Sequence, residues 1–371
     1  MYNNDNRIVM TLDAGGTNFV FSAIQGNKEI VAPVCKSAPV NDLALCLDTL
    51  VDGFEQIRKQ LAKQPVAISF AFPGPADYEH GVIGDLPNFP AFRGGVALGK
   101  YLEHKFKIPV YINNDGNLFA YGEALAGILP ELNRKLKESG NDRQFKNLIG
   151  ITLGTGFGAG VVINRELLTG DNGCGGDLWN FKNLYYPDVI AEESVSIRAV
   201  KKVYADLSGD TNIHLTPKDI YNIADEVKPG DVSAARKSFS TLGYALGDAI
   251  AYALTLIDGV VVIGGGLSGA SRYILPAVMD SLGGKLALHT GESFPRLQMQ
   301  VLNMEDETQL AELLRSEVGT VSVYGTSLLV PYDKVKKTGL AISRLGTSRA
   351  IALGAYAFAL NELDKRSSNS N

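Results

Sequence analysis

Three times in this chain a short apolar, strand-like run empties into a cluster of glycines. The clusters are Asp13-Ala14-Gly15-Gly16-Thr17-Asn18, Gly154-Thr155-Gly156-Phe157-Gly158 and Gly264-Gly265-Gly266-Leu267-Ser268-Gly269. Glycine at a strand exit lets successive backbone N–H groups converge on one point with no side chain in the way. Such a turn can receive phosphate oxygens; the plainer reading is three tight strand connections. The first two turns also share a setting. Thr11-Leu12-Asp13-Ala14-Gly15-Gly16 and Thr152-Leu153-Gly154-Thr155-Gly156-Phe157 each lead from one apolar strand into another. A repeated strand–turn–strand unit predicts two related α/β halves, with nucleotide held between them.

The third turn matches G-x-G-x-x-G, the dinucleotide fingerprint. That reading needs an acidic residue about 20 positions on. Gly283-Gly284-Lys285-Leu286-Ala287-Leu288-His289 supplies none, and too little chain follows for a full doubly wound domain. A nicotinamide site is therefore disfavoured.

The length, 371 residues, suits about two domains. A net charge of −5 with scattered Lys and Arg argues against a dedicated nucleic-acid binder. Three cysteines (Cys35, Cys46, Cys174) without a CxxC pair give no disulfide framework, and a reducing cytoplasm is the expected location. The first residues are polar rather than signal-like, and no run of about 18 apolar residues predicts a membrane span.

Strands are predicted over Arg7–Leu12, Asn18–Ile24 and Lys28–Val34, with Gly26-Asn27 as a hairpin signal. Leu43, Leu47, Leu50, Phe54, Ile57 and Leu61 form one helical face. Pro65–Phe72, Pro109–Ile112, Asn147–Leu153 and Gly259–Ile263 read as further strands, and Gly116–Gly127 as a helix. Pro130–Lys146 is polar and reads as a solvated surface insertion. The expected division is an N-terminal α/β domain, 1–113, completed by a C-terminal helix at 348–371. The second α/β domain, 114–347, then carries the other two glycine turns.

Asp115 ends Asn113-Asn114-Asp115 at a strand-to-helix junction. It could cap the helix, or serve as general base towards a substrate hydroxyl. Asp13 could close an Asx-turn or stand near Mg²⁺ through water. The four histidines lack ligand spacing, and Cys174 between glycines reads as a small buried residue.

In this order the motifs resemble the ROK family (repressor, open reading frame, kinase) of sugar kinases. Leu12–Asn18 is similar to its first phosphate motif, Gly154–Gly158 to its second, Val262–Ser268 to its nucleotide motif, and Asn114-Asp115 with Gly122-Glu123 to its catalytic segment. The resemblance implies an actin-like, hexokinase-type ATPase fold, with two α/β domains around a central cleft. It implies Asp115 as base and Gly74, Asn88, Asn114, Asp177, Asn180 and Glu192 on the sugar, with Glu193 as fallback for Glu192. It implies ATP and Mg²⁺ on Asp13, Gly15, Gly16, Thr17, Asn18, Gly154, Thr155, Gly156, Gly264, Gly265, Gly266 and Leu267.

Gly173-Cys174-Gly175-Gly176-Asp177-Leu178-Trp179-Asn180 departs from the family's G-x-x-G-E-x-G-H at two positions: Asp177 replaces Glu and Asn180 replaces His. With neither that His nor the family's cysteine cluster, no zinc is expected. No winged-helix DNA-binding domain is expected before Arg7. The implied protein is a homodimeric glucokinase-type enzyme making glucose 6-phosphate. An N-acetylglucosamine or N-acetylmannosamine kinase is the near alternative. A non-catalytic sugar sensor, an actin-like filament protein and an NAD-dependent dehydrogenase are more distant ones.

Overall fold

The computed structural model describes residues 2–14, 17–74, 76–84, 90–210, 212 and 214–368. The chain divides into two compact units. The first comprises Met1–Gly127, Gly160–Gly176 and Leu345–Asn371; the second comprises Ile128–Ala159 and Asp177–Arg344.

The first unit holds a six-stranded sheet. β1 (Val9–Ala14) runs antiparallel to β2 (Asn18–Gln25) and parallel to β5 (Ala67–Ala71), which runs parallel to β8 (Val110–Asn113). β3 (Lys28–Glu29) and β4 (Val34–Ser37) both pair with β2. Gly26 and Asn27 both have positive φ, +57° and +62°, which gives the expected β2–β3 hairpin its type I′ turn. The strand expected over Lys28–Val34 is broken. β3 stops at Glu29 and β4 starts only after Pro33, which has no N–H to give a ladder. β6 (Ala76–Asp77) and β7 (Val82–Ile83) form a small separate ladder.

α1 (Leu43–Gln60) is capped by Asp42, whose carboxylate accepts the Leu45 N–H at 3.0 Å. Its expected face buries Leu50, Phe54 and Ile57 against Phe21, Phe70 and Phe106. The Phe21 and Phe54 rings meet edge to face at 5.0 Å. α2 (Leu98–Phe106) joins that core through Leu98 and Leu102.

α3 (Asp115–Ala126) and α10 (Thr347–Ser368) cross at two glycines. A Cβ on Gly122 would stand 1.9 Å from the Ala350 carbonyl oxygen, and one on Gly354 1.8 Å from that of Leu118. This backbone contact groups α3 with the first unit, beyond the 113/114 boundary drawn from sequence.

In the second unit β9 (Leu148–Leu153), β12 (Val260–Gly264), β18 (Lys337–Ile342) and β15 (Gln300–Asn303) lie in the order β9-β12-β18-β15, all parallel. β10 (Phe157–Ile163) flanks β9; it begins in this unit and ends in the first, where it pairs with β11 (Glu166–Leu167). The orders β2-β1-β5-β8 and β10-β9-β12-β18 correspond, strand for strand. The two-fold repeat read from the glycine turns is thus a repeat of topology.

Helices cover this sheet: α5 (Ile197–Ser208), α6 (Pro217–Ala224), α7 (Val232–Ile257) and α8 (Ser271–Leu282). α7, with 26 residues, is long and apolar enough to cross a membrane by composition. Its Phe239, Leu242, Leu246, Ile250 and Leu254 instead fill the core with Ile151, Val261, Ile263 and Val278. The polar stretch expected as a solvated insertion forms α4 (Ile128–Glu138), which is amphipathic: Leu129, Leu132 and Leu136 are buried. α9 (Glu307–Leu314) and two small hairpins complete the unit. The hairpins are β13 (Lys285–Ala287) with β14 (Ser293–Pro295), and β16 (Val318–Ser322) with β17 (Leu329–Asp333).

Candidate active site

The parallel strands of the first unit deliver their carboxyl ends to one edge of the sheet. Register sets Asp13 opposite Ala71, and Ala71 opposite Asn113. With strands about 4.8 Å apart, Asp13 and Asn113 stand about 10 Å from each other along that edge. The segments that follow are therefore neighbours: Thr17-Asn18, Gly74 and Asn114-Asp115. Open α/β sheets bind ligands at this edge. At Gly74 a Cβ would lie 3.1 Å from the Tyr78 hydroxyl, which donates to the Phe72 carbonyl at 2.9 Å. Gly15, Gly16 and Asn88 lie outside the described residues.

Of the two roles open to Asp115, capping goes to its neighbour. Asn114 is the N-cap of α3, its Oδ1 accepting the Gly116 N–H at 2.8 Å. Asp115 is the first helical residue, and one of its oxygens shares that N–H at 2.9 Å. Asn113, buried behind them, accepts from the Asn114 N–H at 2.8 Å and from Asn117 Nδ2 at 3.0 Å. The polar triplet thus divides its work. Asn113 anchors, Asn114 caps, and Asp115 keeps an oxygen reachable from solvent.

Protein packed around the Asp115 carboxyl nevertheless removes much of its hydration, which raises its pKa. Two backbone N–H groups oppose that shift, and the negative charge of Asp13 adds to it. A reachable carboxylate with raised proton affinity is what proton abstraction from an alcohol requires. Among the described residues no cluster of three or more His, Cys, Asp or Glu could hold a metal ion. Asp13, a single carboxylate at the strand end, suits Mg²⁺ held mostly by water and phosphate oxygens.

The second unit repeats this edge. Register pairs Gly264 with Thr152, so the turns after β9 and β12 emerge side by side. Gly265 has φ +88°, and a Cβ there would meet the Leu153 carbonyl oxygen at 2.2 Å; it joins the two turns by close packing. Gly154 and Gly266 face open space, with nothing within 4 Å of where a Cβ would be. Their backbones are accessible to phosphate, so the residues present fit a nucleotide tail. The Leu267 side chain is buried in the core, which leaves only its backbone to a ligand.

Glu192, expected on the sugar, reaches the second glycine turn. Its Oε2 accepts the Phe157 N–H at 3.0 Å, and its Oε1 accepts from Arg198 Nη2 at 2.9 Å. Arg198 also donates to the Thr155 carbonyl at 3.1 Å and to Glu193 at 2.7 Å. Through these bonds Arg198 clamps the turn. The Ala191 N–H bonds to the Phe181 carbonyl at 2.7 Å and brings the segment of Asp177 and Asn180, both exposed, beside the turn that carries Glu192. Cys174 is exposed rather than buried, because its glycine-flanked loop packs no core.

Paired α/β units, each with glycine turns at the carboxyl ends of parallel strands, define the actin-like, hexokinase-type ATPase fold. Within that class the chain belongs to the ROK family, whose sequence pattern matches residues 9–179. It is 58% identical to a glucokinase of Parabacteroides distasonis ATCC 8503 known from its crystal structure, with a TM-score of 0.88 over 97% of this chain and 99% of that one. A glucokinase of Thermotoga maritima is 30% identical over 177 residues, which cover 45% of this chain and 48% of the relative. An N-acetyl-D-glucosamine kinase of Photobacterium profundum is 31% identical over 166 residues, 45% of this chain and 50% of the relative. The matched region spans about half the length of these two curated relatives.

Proposed function

We propose that this chain is an ATP-dependent hexokinase of glucokinase type. It transfers the γ-phosphoryl group of ATP to the primary hydroxyl of an aldohexose, with glucose giving glucose 6-phosphate in the cytoplasm. The observation that carries this reading is Asp115, relieved of sole capping duty by Asn114 and raised in proton affinity at the ligand edge of its sheet. The identity with the P. distasonis glucokinase over nearly the whole of both chains supports a sugar as acceptor.

Asp115 takes the hydroxyl proton as the sugar oxygen attacks phosphorus in line, and the carboxyl then holds that proton. The Asn114 amide N–H₂, Asn88, Asp177, Asn180 and Glu192 bind the sugar hydroxyls and orient the acceptor. Backbone N–H groups of Gly154–Gly156 and Gly264–Gly266 receive phosphate oxygens. Mg²⁺ bound near Asp13 would offset charge on the β- and γ-phosphates.

A second reading, an N-acetylhexosamine kinase, has its own support. Asp177 and Asn180 are smaller than the Glu and His of the family motif and leave room for an acetamido group. The P. profundum relative is an N-acetyl-D-glucosamine kinase. Coupled ADP release with glucose, mannose, fructose, N-acetylglucosamine and N-acetylmannosamine separates the two. The glucokinase reading requires the highest kcat/KM on glucose, and no ADP release with any of the five sugars overturns both.

A further inference from the structure

Strand β8 ends the first sheet and pairs with β5 alone. Its counterpart in the second unit, β18, has β12 on one side and β15 on the other. The place that β15 fills beside β18 is, beside β8, a cavity of about 900 Å³. All four residues of β8 line it, and its walls are residues 76–81, α2, residues 169–173 and α10. Every lining residue belongs to the first unit.

The register says which groups face the cavity. The Ile68 N–H reaches the Pro109 carbonyl at 2.9 Å, and the Phe72 N–H reaches that of Asn113 at 3.0 Å. Pro109, Tyr111 and Asn113 therefore turn their carbonyls to β5, and alternation turns the polar groups of Val110 and Ile112 the other way. The Val110 N–H finds the Glu103 carboxylate at 3.3 Å. The Ile112 N–H and carbonyl have no partner among the described residues, and at 2% exposure water does little to replace one. Tyr111 is 7% exposed, and its hydroxyl is buried without a partner. In the second unit β15 satisfies the outer edge of its neighbour: the Gln300 N–H bonds to the Lys336 carbonyl and the Met304 N–H to that of Leu340, both at 2.8 Å.

We infer that the cavity receives an extended segment of another protein, rich in lysine or arginine, which pairs with β8 as β15 pairs with β18. Main-chain pairing supplies the partners that Ile112 lacks. Alternate side chains of the added strand fall on opposite faces of the sheet, one set beside Phe358 of α10 and the other beside Glu103 of α2. Charge selects the segment. Five carboxylates line the cavity against three permanent cations, Lys100, Lys365 and Arg366. Lys100 is paired with Glu103 at 2.7 Å and Lys365 with Glu362 at 3.1 Å. Glu79 and Asp171 are exposed, with no ion pair among the described residues, and they favour a basic partner. Asn113, whose Oδ1 holds the Asn114 N–H and Asn117 Nδ2, also lines the cavity, so an occupant meets the residues that mount Asp115. This inference concerns binding and does not depend on the kinase reading.

The test uses the full chain and a fluorescein-labelled heptapeptide of alternating lysine and valine, with binding read by fluorescence anisotropy. Saturable binding is expected. In a paired strand every second N–H faces the neighbour. N-methylation of either the lysine or the valine nitrogens should therefore abolish binding, and methylation of the other set should leave it. Glu79→Lys with Asp171→Lys should weaken binding at least about tenfold, with an unchanged circular-dichroism melt. Hydrogen exchange gives a readout without mutation: at saturating peptide the Ile112 amide should gain about tenfold protection or more. Absence of binding overturns the inference, as do equal effects of the two methylation patterns. So does affinity indifferent to the Glu79/Asp171 pair, and so does protection that misses Ile112. Protection of Ile112 by glucose 6-phosphate without peptide also overturns it, and would assign the cavity to a small molecule.

Discussion

Glu192 and Phe157, thirty-five positions apart, are joined by a single hydrogen bond from the Phe157 N–H to Glu192 Oε2 at 3.0 Å. The side chain expected to hold a sugar hydroxyl also shapes the turn expected to hold phosphate. Sugar and nucleotide affinity should therefore move together when it is altered. Glu192→Ala leaves the Phe157 N–H without its acceptor, a cost of about 1–3 kcal/mol if the group stays dry. KM should rise for sugar and for ATP; Arg198→Ala, which removes exposed ion pairs to Glu192 and Glu193 and the bond to the Thr155 carbonyl but leaves the Phe157 N–H its acceptor, should raise the ATP KM less. An unchanged ATP KM in Glu192→Ala would show that the turn holds its shape without the carboxylate.

Asp115→Asn keeps the size and the N–H acceptor of the side chain but removes the proposed base. Turnover should fall at least ~10²-fold with sugar affinity retained. Isothermal titration with glucose and the coupled assay measure the two separately; near-normal turnover refutes the assignment.

The raised pKa of Asp115 has a sign in both activity and stability. In the proposed role the ionised form is the base, so kcat/KM should fall on the acidic side with an apparent pKa above the ordinary aspartate value of about 3.9. For stability, the folded chain holds this proton more tightly than the unfolded chain does. The contribution is present below about pH 3.9 and is lost as pH rises through the folded value. At neutral pH the partly desolvated charge is a cost, so Asp115→Asn should melt at or above the temperature of the unaltered protein. A clearly lower melting temperature would contradict the desolvation argument.

Gly265 and Gly266 separate packing from ligand approach. Gly265→Ala sets a Cβ against the Leu153 carbonyl at positive φ, so thermal stability should drop. Gly266→Ala meets open space and should melt normally while raising the KM for ATP, because the methyl group would occupy the proposed phosphate approach. Normal ATP affinity in Gly266→Ala would remove this turn from the nucleotide site.

Gly354→Ala should destabilise by about 1–3 kcal/mol or more in urea titrations, since the new Cβ overlaps the Leu118 carbonyl and α3 and α10 must part. Because α3 begins with Asp115, kcat should fall too. Unchanged activity alongside lost stability would show that α3 shifts without carrying Asp115 with it.

Much of this was legible along the chain. Strand exits rich in glycine, the Gly26-Asn27 hairpin and the Leu50–Phe54–Ile57 face are local signals, because turn geometry and apolar period depend on near neighbours. Pro130–Lys146 reads as solvated because charged and polar residues dominate its composition. Its few leucines carry the packing, and only a partner surface reveals that.

The order of motifs set the family, the two-fold repeat and the identity of the acidic residue after Asn113-Asn114. It could not say that Asn114 rather than Asp115 caps α3, that Glu192 reaches Phe157, or that Gly122 and Gly354 lock α3 to a helix more than two hundred residues later. Those facts depend on hydrogen bonds and van der Waals distances between segments remote in sequence. Such contacts exist only once the backbone has closed on itself, and they decide which of several chemically able side chains is left with a free oxygen.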